Sequence, residues 1–378
     1  MTASPLPGVD PLAQQAPSLL PTGRLRAPLL GPPLYRHYWP PVSDHAGVDR
    51  DFTKFVDASV EEQRQRLAES RADPEAHGRV LHGYLGSLYA DSFGYRDSPV
   101  AFAVDDQAEL ARFRARLQLE RELFEHWVDA EPLPELRDQV SVAEYLDDLA
   151  ADNPGVNHPL FAYLRDHAPR EQLELFLQCD LIRNEVVDDE VALLMVGLQG
   201  MQKAVAAANL WDECGRGKLE NFHTYWLRRL LEASDGWDRL YQYRQQYPWF
   251  AKITSNLFTA LLTRPSRKQM AYGCFLVFES WVEPHFRAIL GGMRRVGLTS
   301  DDLTIYFEAH VAIDPRHSRE LSDALRVQQP RLDARELGDV VYGAHLAASA
   351  GKRQFDHMLD YLILPPVTAH RNDEAFRQ

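Results

Sequence analysis

From about residue 50 to the C-terminal tail, apolar positions recur three and four residues apart, the period of a helix with one buried stripe. EEQRQRLAES, QAELARFRARLQLERELFEHWVD and the long run REQLELFLQCDLIRNEVVDDEVALLMVGLQGMQKAVAAANLWDE carry this pattern. Strand-like alternation is scarce. Breaks are expected at ADPEAHG, ADNPGVNHP, CGRGKLEN, TRPSR and VGLTSDD, where Gly, Pro, Asn and Asp collect. Ser300, Asp301 and Asp302 read as a helix start with acidic residues in its first turn. The segment ARELGDVVYGAHLAASAGKRQFDHMLDYLIL predicts one or two further helices before a polar tail. The pattern predicts an all-α protein in four parts: a leader over 1–45, an N-terminal helical layer over 46–150, the main bundle over 151–350, and a helix end with tail over 351–378.

Composition sharpens this picture at the N-terminus. Residues 1–41 hold ten of the 24 prolines, which rules out regular helix or central strand there. An extended arm is expected, with Tyr35, Tyr38 and Trp39 as its only large anchors. The start lacks the basic residues and apolar run of a signal peptide. No stretch approaches the roughly 18 apolar residues of a membrane span. A net charge of −14 makes the chain a poor ligand for a phosphate backbone. Cys179, Cys214 and Cys274 are odd in number and widely spaced, so neither a disulfide framework nor a zinc ribbon is expected. A reducing, cytoplasmic setting fits, with no nucleic-acid or membrane partner.

Four segments carry candidate chemistry. In EAHVAIDPRH, His310, Asp314 and His317 fall at i, i+4 and i+7. On one helix they share a stripe, with the two imidazoles roughly 10 Å apart along the axis. That distance suits two ions side by side with a carboxylate between, and imidazole with carboxylate favours iron or manganese. Pro315 opposes the helix at a cost of about 3 kcal/mol, because it has no N–H and disfavours helical geometry at Asp314. Either metal coordination offsets that cost, or the helix ends between His310 and Asp314 and leaves His317 in a loop. In NLWDECGRGKLENFH, Glu213 and His223 are ten residues apart, yet Gly215 and Gly217 permit a bend that joins them. Glu220 and His223 form a competing Glu-x-x-His pair, and spacing does not choose between Glu213 and Glu220. In CFLVFESWVEPHF, Glu279 interrupts an apolar helix, where a carboxylate is costly unless paired with a cation such as Arg287 or bound to metal. Pro284 is expected to mark the end of that helix. In LIRNEVVDDEVALLMVGL, Glu185, Asp188 and Asp189 precede a core helix, and Glu185 and Asp189 share a face.

Taken in order, WDECGRGKLENFH, FESWVEP and HVAIDPRH resemble the haem-oxygenase-like diiron oxidases and oxygenases, and NEVVDDEVALLMVGLQG is similar to the extra-carboxylate segment of the N-oxygenating members. NHPLFAYLRDHAP looks like the start of their core. The likeness covers roughly 155–325 and implies a haem-oxygenase-like helical bundle with additional N-terminal helices. It implies Glu213, His223, Glu279, His310, Asp314 and His317 as iron ligands, favouring Glu213 over Glu220. It implies Glu185 as a further carboxylate, a role that Asp188 or Asp189 can also fill. The resemblance further implies two Fe(II) per chain, O2 as co-substrate and an external reductase or other electron donor. It points to a small amine or amino-acid substrate oxidised at nitrogen, with C–C cleavage or desaturation as the rival chemistry, and to a homodimer. A non-catalytic helical scaffold is the alternative from outside enzymology.

Overall fold

The computed structural model describes residues 50–93, 105–128, 138–184, 186–233, 248–313 and 316–363, together with Pro134 and Leu136. The expected leader lies outside the described residues. Among those described, every regular element is a helix, and the only β-type pairing is a bridge between Cys214 and Phe222.

The N-terminal layer comprises α1 (Arg50–Asp57), α2 (Val60–Ser70), α3 (Pro74–Gly78), α4 (Tyr84–Ser92) and α5 (Asp106–Glu122). Its starts follow the local chemistry. Ser59 and Glu62 form a reciprocal capping box on α2, and Asp73 caps α3 with Pro74 in its first turn. Glu120 of α5 is fully buried and takes Arg264 and Arg267, each at 3.1 Å, from the turn before the central helix. This ties the layer to the bundle with a charge that would be costly to leave unpaired.

The bundle contains α6 (Gln139–Ala151), α7 (Pro159–Asp166), α8 (Arg170–Asn184), α9 (Val187–Met195), α10 (Gly200–Glu213), α11 (His223–Ala233), α12 (Ile253–Leu262), α13 (Lys268–Arg295), α14 (Asp301–Ile313), α15 (His317–Val327) and α16 (Ala334–Ile363). The long run predicted over 170–213 is three helices. The first ends at Asn184 and the second begins at Val187; the second ends at Met195 and the third begins at Gly200, with Gly197 and Gly200 at positive φ in this last junction. The last segment is one helix of 30 residues.

Helix α13 is the axis of the fold and packs on α7, α12, α14, α15 and α16. Contact on all sides explains its composition, since Tyr272, Cys274, Phe275, Leu276 and Val277 are buried in succession. Pro284 does not end it: the helix continues to Arg295. Burial of Trp281, His285, Phe286 and Ile289 around the proline outweighs the missing donor.

Helices α13 and α16 meet at glycines. A Cβ on Gly273 would stand 1.9 Å from the Val340 carbonyl oxygen, and one on Gly343 would stand 1.9 Å from that of Met270. Both neighbours are backbone, so a methyl group forces the helices apart. Gly273→Ala is expected to cost about 1–3 kcal/mol despite its better helix propensity. A denaturant midpoint that falls at unchanged slope measures this, and an unchanged midpoint would show that the crossing is loose.

Candidate metal centre

The centre begins where α10 ends. Three residues in succession, Gly215, Arg216 and Gly217, take positive φ of 54°, 56° and 80°. Two short 3₁₀ turns follow one another over Gly215–Gly217 and Leu219–Asn221. Backbone bonds from Gly217 N–H to the Cys214 carbonyl (2.8 Å) and from Phe222 N–H to the Leu219 carbonyl (3.1 Å) close them. The bridge between Cys214 and Phe222 then sets the end of α10 beside the start of α11. As a result Glu213 Oε2 lies 2.8 Å from His223 Nδ1. Glu220 is exposed, and only its backbone carbonyl is engaged, by the Trp226 indole N–H at 3.0 Å.

His310 arrives from α14. Its Nδ1 is 2.6 Å from the Tyr306 carbonyl oxygen. A carbonyl only accepts, so Nδ1 carries the proton and Nε2 keeps a free lone pair, the tautomer a metal needs. The His310 and His223 rings are 4.1 Å apart, and His223 stacks on Trp226. One ligand-type atom from each of Glu213, His223 and His310 lies within 4.8 Å of the others, and all three residues are buried.

Two of these atoms are orphans. Among the described residues, Glu213 Oε2 and His223 Nδ1 are buried and reach only each other, at 2.8 Å and without hydrogen-bond geometry. Buried polar atoms are seldom left so, and two converging lone pairs in an apolar setting are what a cation would join. The donor set fits iron: two imidazoles and a carboxylate, with no thiolate.

A second group adjoins the first. His317 opens α15, with Nδ1 3.3 Å from Glu279 Oε2 and Nε2 3.4 Å from Asp212 Oδ2. A neutral imidazole has one N–H, so only one of these carboxylates can accept from it. Glu279 does not pair with Arg287, which binds Glu283 instead at 2.7 Å. The groups are electrostatically coupled: the charges of His317, Glu279 and Asp212 act on His223, and that of His317 acts on Glu213.

Burial dominates the proton affinities. It lowers His310 to about 3, with His223 adding to the effect, and lowers His223 to about 4, with His317 adding. Burial raises Glu213 against the pull of His310, His317 and Arg183. For Asp212 burial works upward, but hydrogen bonds from His317 and Arg216 prevail and hold it at about 2. Both triad imidazoles therefore stay neutral well below pH 6. Two ordinary imidazoles would lose about 14-fold in metal affinity between pH 7.5 and 6 through proton competition. Anaerobic Fe(II) titration is expected to show less than about threefold loss over that range. A 14-fold loss would contradict the depressed values.

Of the residues read from the sequence, Glu213, His223 and His310 converge, and Glu279 with His317 forms the adjoining pair. Asp314, Pro315 and Glu185 lie outside the described residues. Of the stripe expected for His310, Asp314 and His317, only the two histidines fall among the described residues. Helix α14 ends at Ile313 and α15 begins at His317, so the two histidines sit on separate helices rather than on one helix or in a loop. Asp189 is exposed. Asp188 is half-buried, accepts from Thr224 Oγ1 at 3.4 Å, and is raised to about 6 by burial, Asp189 and Glu213. Asp212 was not singled out beforehand. Its i, i+4 relation to Arg216 was visible, but that pattern reads as a surface pair; only His317, distant in sequence, gives it a site role.

A cavity opens from this centre, with Glu213, Glu279 and His310 on its wall. The centre of a water molecule can reach about 100 Å³ of it, several times the roughly 10–15 Å³ that one water needs. Phe176, Phe258, Phe275, Phe278, Trp281 and Phe286 form much of the lining, and Asp180, Arg183, Asn184, Glu190, Thr254 and Gln354 supply polar groups.

Residues 174–352 match the family model described as iron-containing redox enzyme, and this span contains every residue of the centre. No curated protein matches the chain. Among solved structures, a CADD-like protein of unknown function from Nostoc punctiforme PCC 73102 aligns with a TM-score of 0.48 at 17% identity, covering 60% of this chain and 98% of that one. A second structure of that protein aligns with a TM-score of 0.47 at 16% identity, covering 61% and 98%.

Proposed function

We propose, from a chain whose residues 174–352 belong to the iron-containing redox enzymes with a haem-oxygenase-like bundle, that it is a non-haem diiron oxygenase acting on nitrogen. The observation that carries this reading is the buried convergence of Glu213, His223 and His310, with two orphaned ligand atoms, beside the His317–Glu279 pair. Glu213, His223 and His310 would hold one ion and His317 with Glu279 a second, and the charges of both His310 and His317 act on Glu213. A solvated scaffold has no reason to bury such atoms unpaired.

Iron bound there would supply the electrons and the site for O2 activation. The chain does the rest. Tyr306 fixes the His310 tautomer, Asp212 and Glu279 orient His317, and Trp226 holds the His223 ring. The aromatic wall lowers the polarity around the centre, which strengthens the electrostatic effect of the carboxylates. For an amine the balance is R–NH2 + O2 + 2 e⁻ + 2 H⁺ giving R–NHOH + H2O, with the electrons from an external reductant and further turnover reaching the oxime or nitro level. Asp188 supports nitrogen chemistry over C–C cleavage or desaturation: it is a surplus carboxylate next to Glu213, as in the N-oxygenating members that the sequence resembles. The polar groups on the cavity wall also fit an amine or amino acid better than a long acyl chain.

Anaerobically loaded protein is expected to take up about two Fe(II) per chain. Given reductant, 18O2 and a panel of amines and amino acids, it is expected to place one labelled oxygen on nitrogen in the first product. Iron uptake with label on carbon, or with chain-shortened products, would replace N-oxygenation by the rival chemistry. Absence of iron uptake would remove the proposal.

A further inference from the structure

The polar end of the cavity is not explained by metal binding. Arg183, at the end of α8, lines the cavity with its guanidinium 5.3 Å from the Phe278 ring centre. Its Nε donates to Thr254 Oγ1 at 3.4 Å and its Nη1 to the Asn184 side chain. Thr254 is in turn fixed by Gln354 at 2.9 Å. Among the described residues no carboxylate lies within ion-pair distance of Arg183. A guanidinium whose hydrogen bonds go to neutral groups, with the Asp180 carboxyl acting on it only at longer range, and which faces a cavity, is a preformed anion site.

Glu190, on α9, faces the same cavity and is 1% exposed. One carboxyl oxygen accepts from Thr259 Oγ1 at 3.3 Å; the other, Oε2, is buried and has no partner. Arg183, Lys252 and Asp189 act on it only at longer range. A buried carboxyl oxygen without a donor, beside an unpaired guanidinium, is a site for a group that brings both charges.

We infer that this end of the cavity is a cradle for the head group of an α-amino acid, with the substrate carboxylate on Arg183 and its α-ammonium on Glu190 Oε2. The cradle shares its cavity with Glu213, Glu279 and His310, so a seated amino acid lies in the chamber onto which the metal centre opens. Only the link to oxidation rests on the proposed function; the cradle itself does not. Burial raises Glu190 to about 7, and an incoming ammonium would hold it ionised.

The test is calorimetric titration of the full chain, metal-free and anaerobically loaded with Fe(II), with the twenty proteinogenic L-amino acids. Each binder is then compared with the amine that lacks its carboxylate and the acid that lacks its α-amine. At least one amino acid is expected to bind, and loss of either head group to weaken it on the order of 10- to 100-fold. In Arg183→Gln the amino acid and its amine are expected to bind alike, and in Glu190→Gln the amino acid and its des-amino acid. Arg183→Lys is expected to retain part of the discrimination. The analogue comparison needs only wild-type protein, so it decides the matter even if a variant fails to fold. No amino acid binding in either metal state, an amine binding as tightly as its parent, or discrimination unchanged in folded variants would overturn the cradle. Amino-acid binding without iron uptake would instead sink the oxygenase reading and leave the cradle standing.

Discussion

His223→Ala protein is expected to lose at least one of two iron ions per chain and to bind the affected ion at least about 100-fold more weakly, since even groups that only orient ligands are worth 10- to 100-fold. The substitution removes an imidazole whose Nδ1 is 2.8 Å from Glu213 Oε2 and whose ring is 4.1 Å from His310. The effect should not stop at one ligand. Glu213 loses its nearest polar neighbour and remains a buried carboxylate already raised by burial, so it is more readily protonated and a poorer ligand itself. Glu220→Ala is the matched control, because its side chain is exposed three residues earlier on the same loop. Iron content after anaerobic loading and gel filtration checks both. Equal iron in His223→Ala and wild type would show that the triad does not hold metal, and loss in Glu220→Ala would revive the rival Glu-x-x-His pairing.

Gly215→Ala is expected to disable the centre without touching a ligand. Residue 215 has φ of +54°, which costs an L-residue about 1–2 kcal/mol. The new Cβ would stand 2.4 Å from the Asn221 carbonyl carbon, which is backbone and cannot turn aside. Relief of that contact separates the two arms of the loop, and with them Glu213 from His223. A stability loss of about 2–4 kcal/mol is expected, together with a tenfold or greater loss of iron affinity. Gly217→Ala separates the two causes. Its φ is also positive, at +80°, but its Cβ meets only the Trp211 ring at 3.3 Å. That variant is expected to lose about 1–2 kcal/mol and keep its iron. Thermal unfolding and Fe(II) titration of the pair read both effects. Full iron affinity in Gly215→Ala would mean that the loop does not set the ligand spacing.

That loop was the most legible part of the site. Two glycines between an acid and a histidine signalled a sharp bend, and the bend exists. What the pattern of residues left open was which acid the bend would deliver. Glu213 and Glu220 differ in burial, and burial is decided by the Cys214–Phe222 pairing rather than by spacing. Helix content was legible throughout from the three- and four-residue period. The places where proline acts were legible only in part. Pro284 reads as a helix end in the sequence, yet α13 passes through it. The reason lies in packing: Trp281, His285, Phe286, Ala288 and Ile289 are buried around a proline that is itself exposed. Asp212 and the Arg183–Glu190 cradle were not legible as a site. Each depends on groups far apart in the chain, His317 for the first and Thr254, Thr259 and Gln354 for the second.

The oxygenase reading depends on metal held by Glu213, His223 and His310 and by His317 and Glu279. A crystal of anaerobically iron-loaded protein, with diffraction recorded on both sides of the iron absorption edge, tests this directly. Two anomalous peaks per chain are expected roughly 3.5–4 Å apart, the usual separation of a paired metal site, one on the triad and one on His317. An edge difference map with no peak at these residues, or with iron bound elsewhere on the chain, would contradict it.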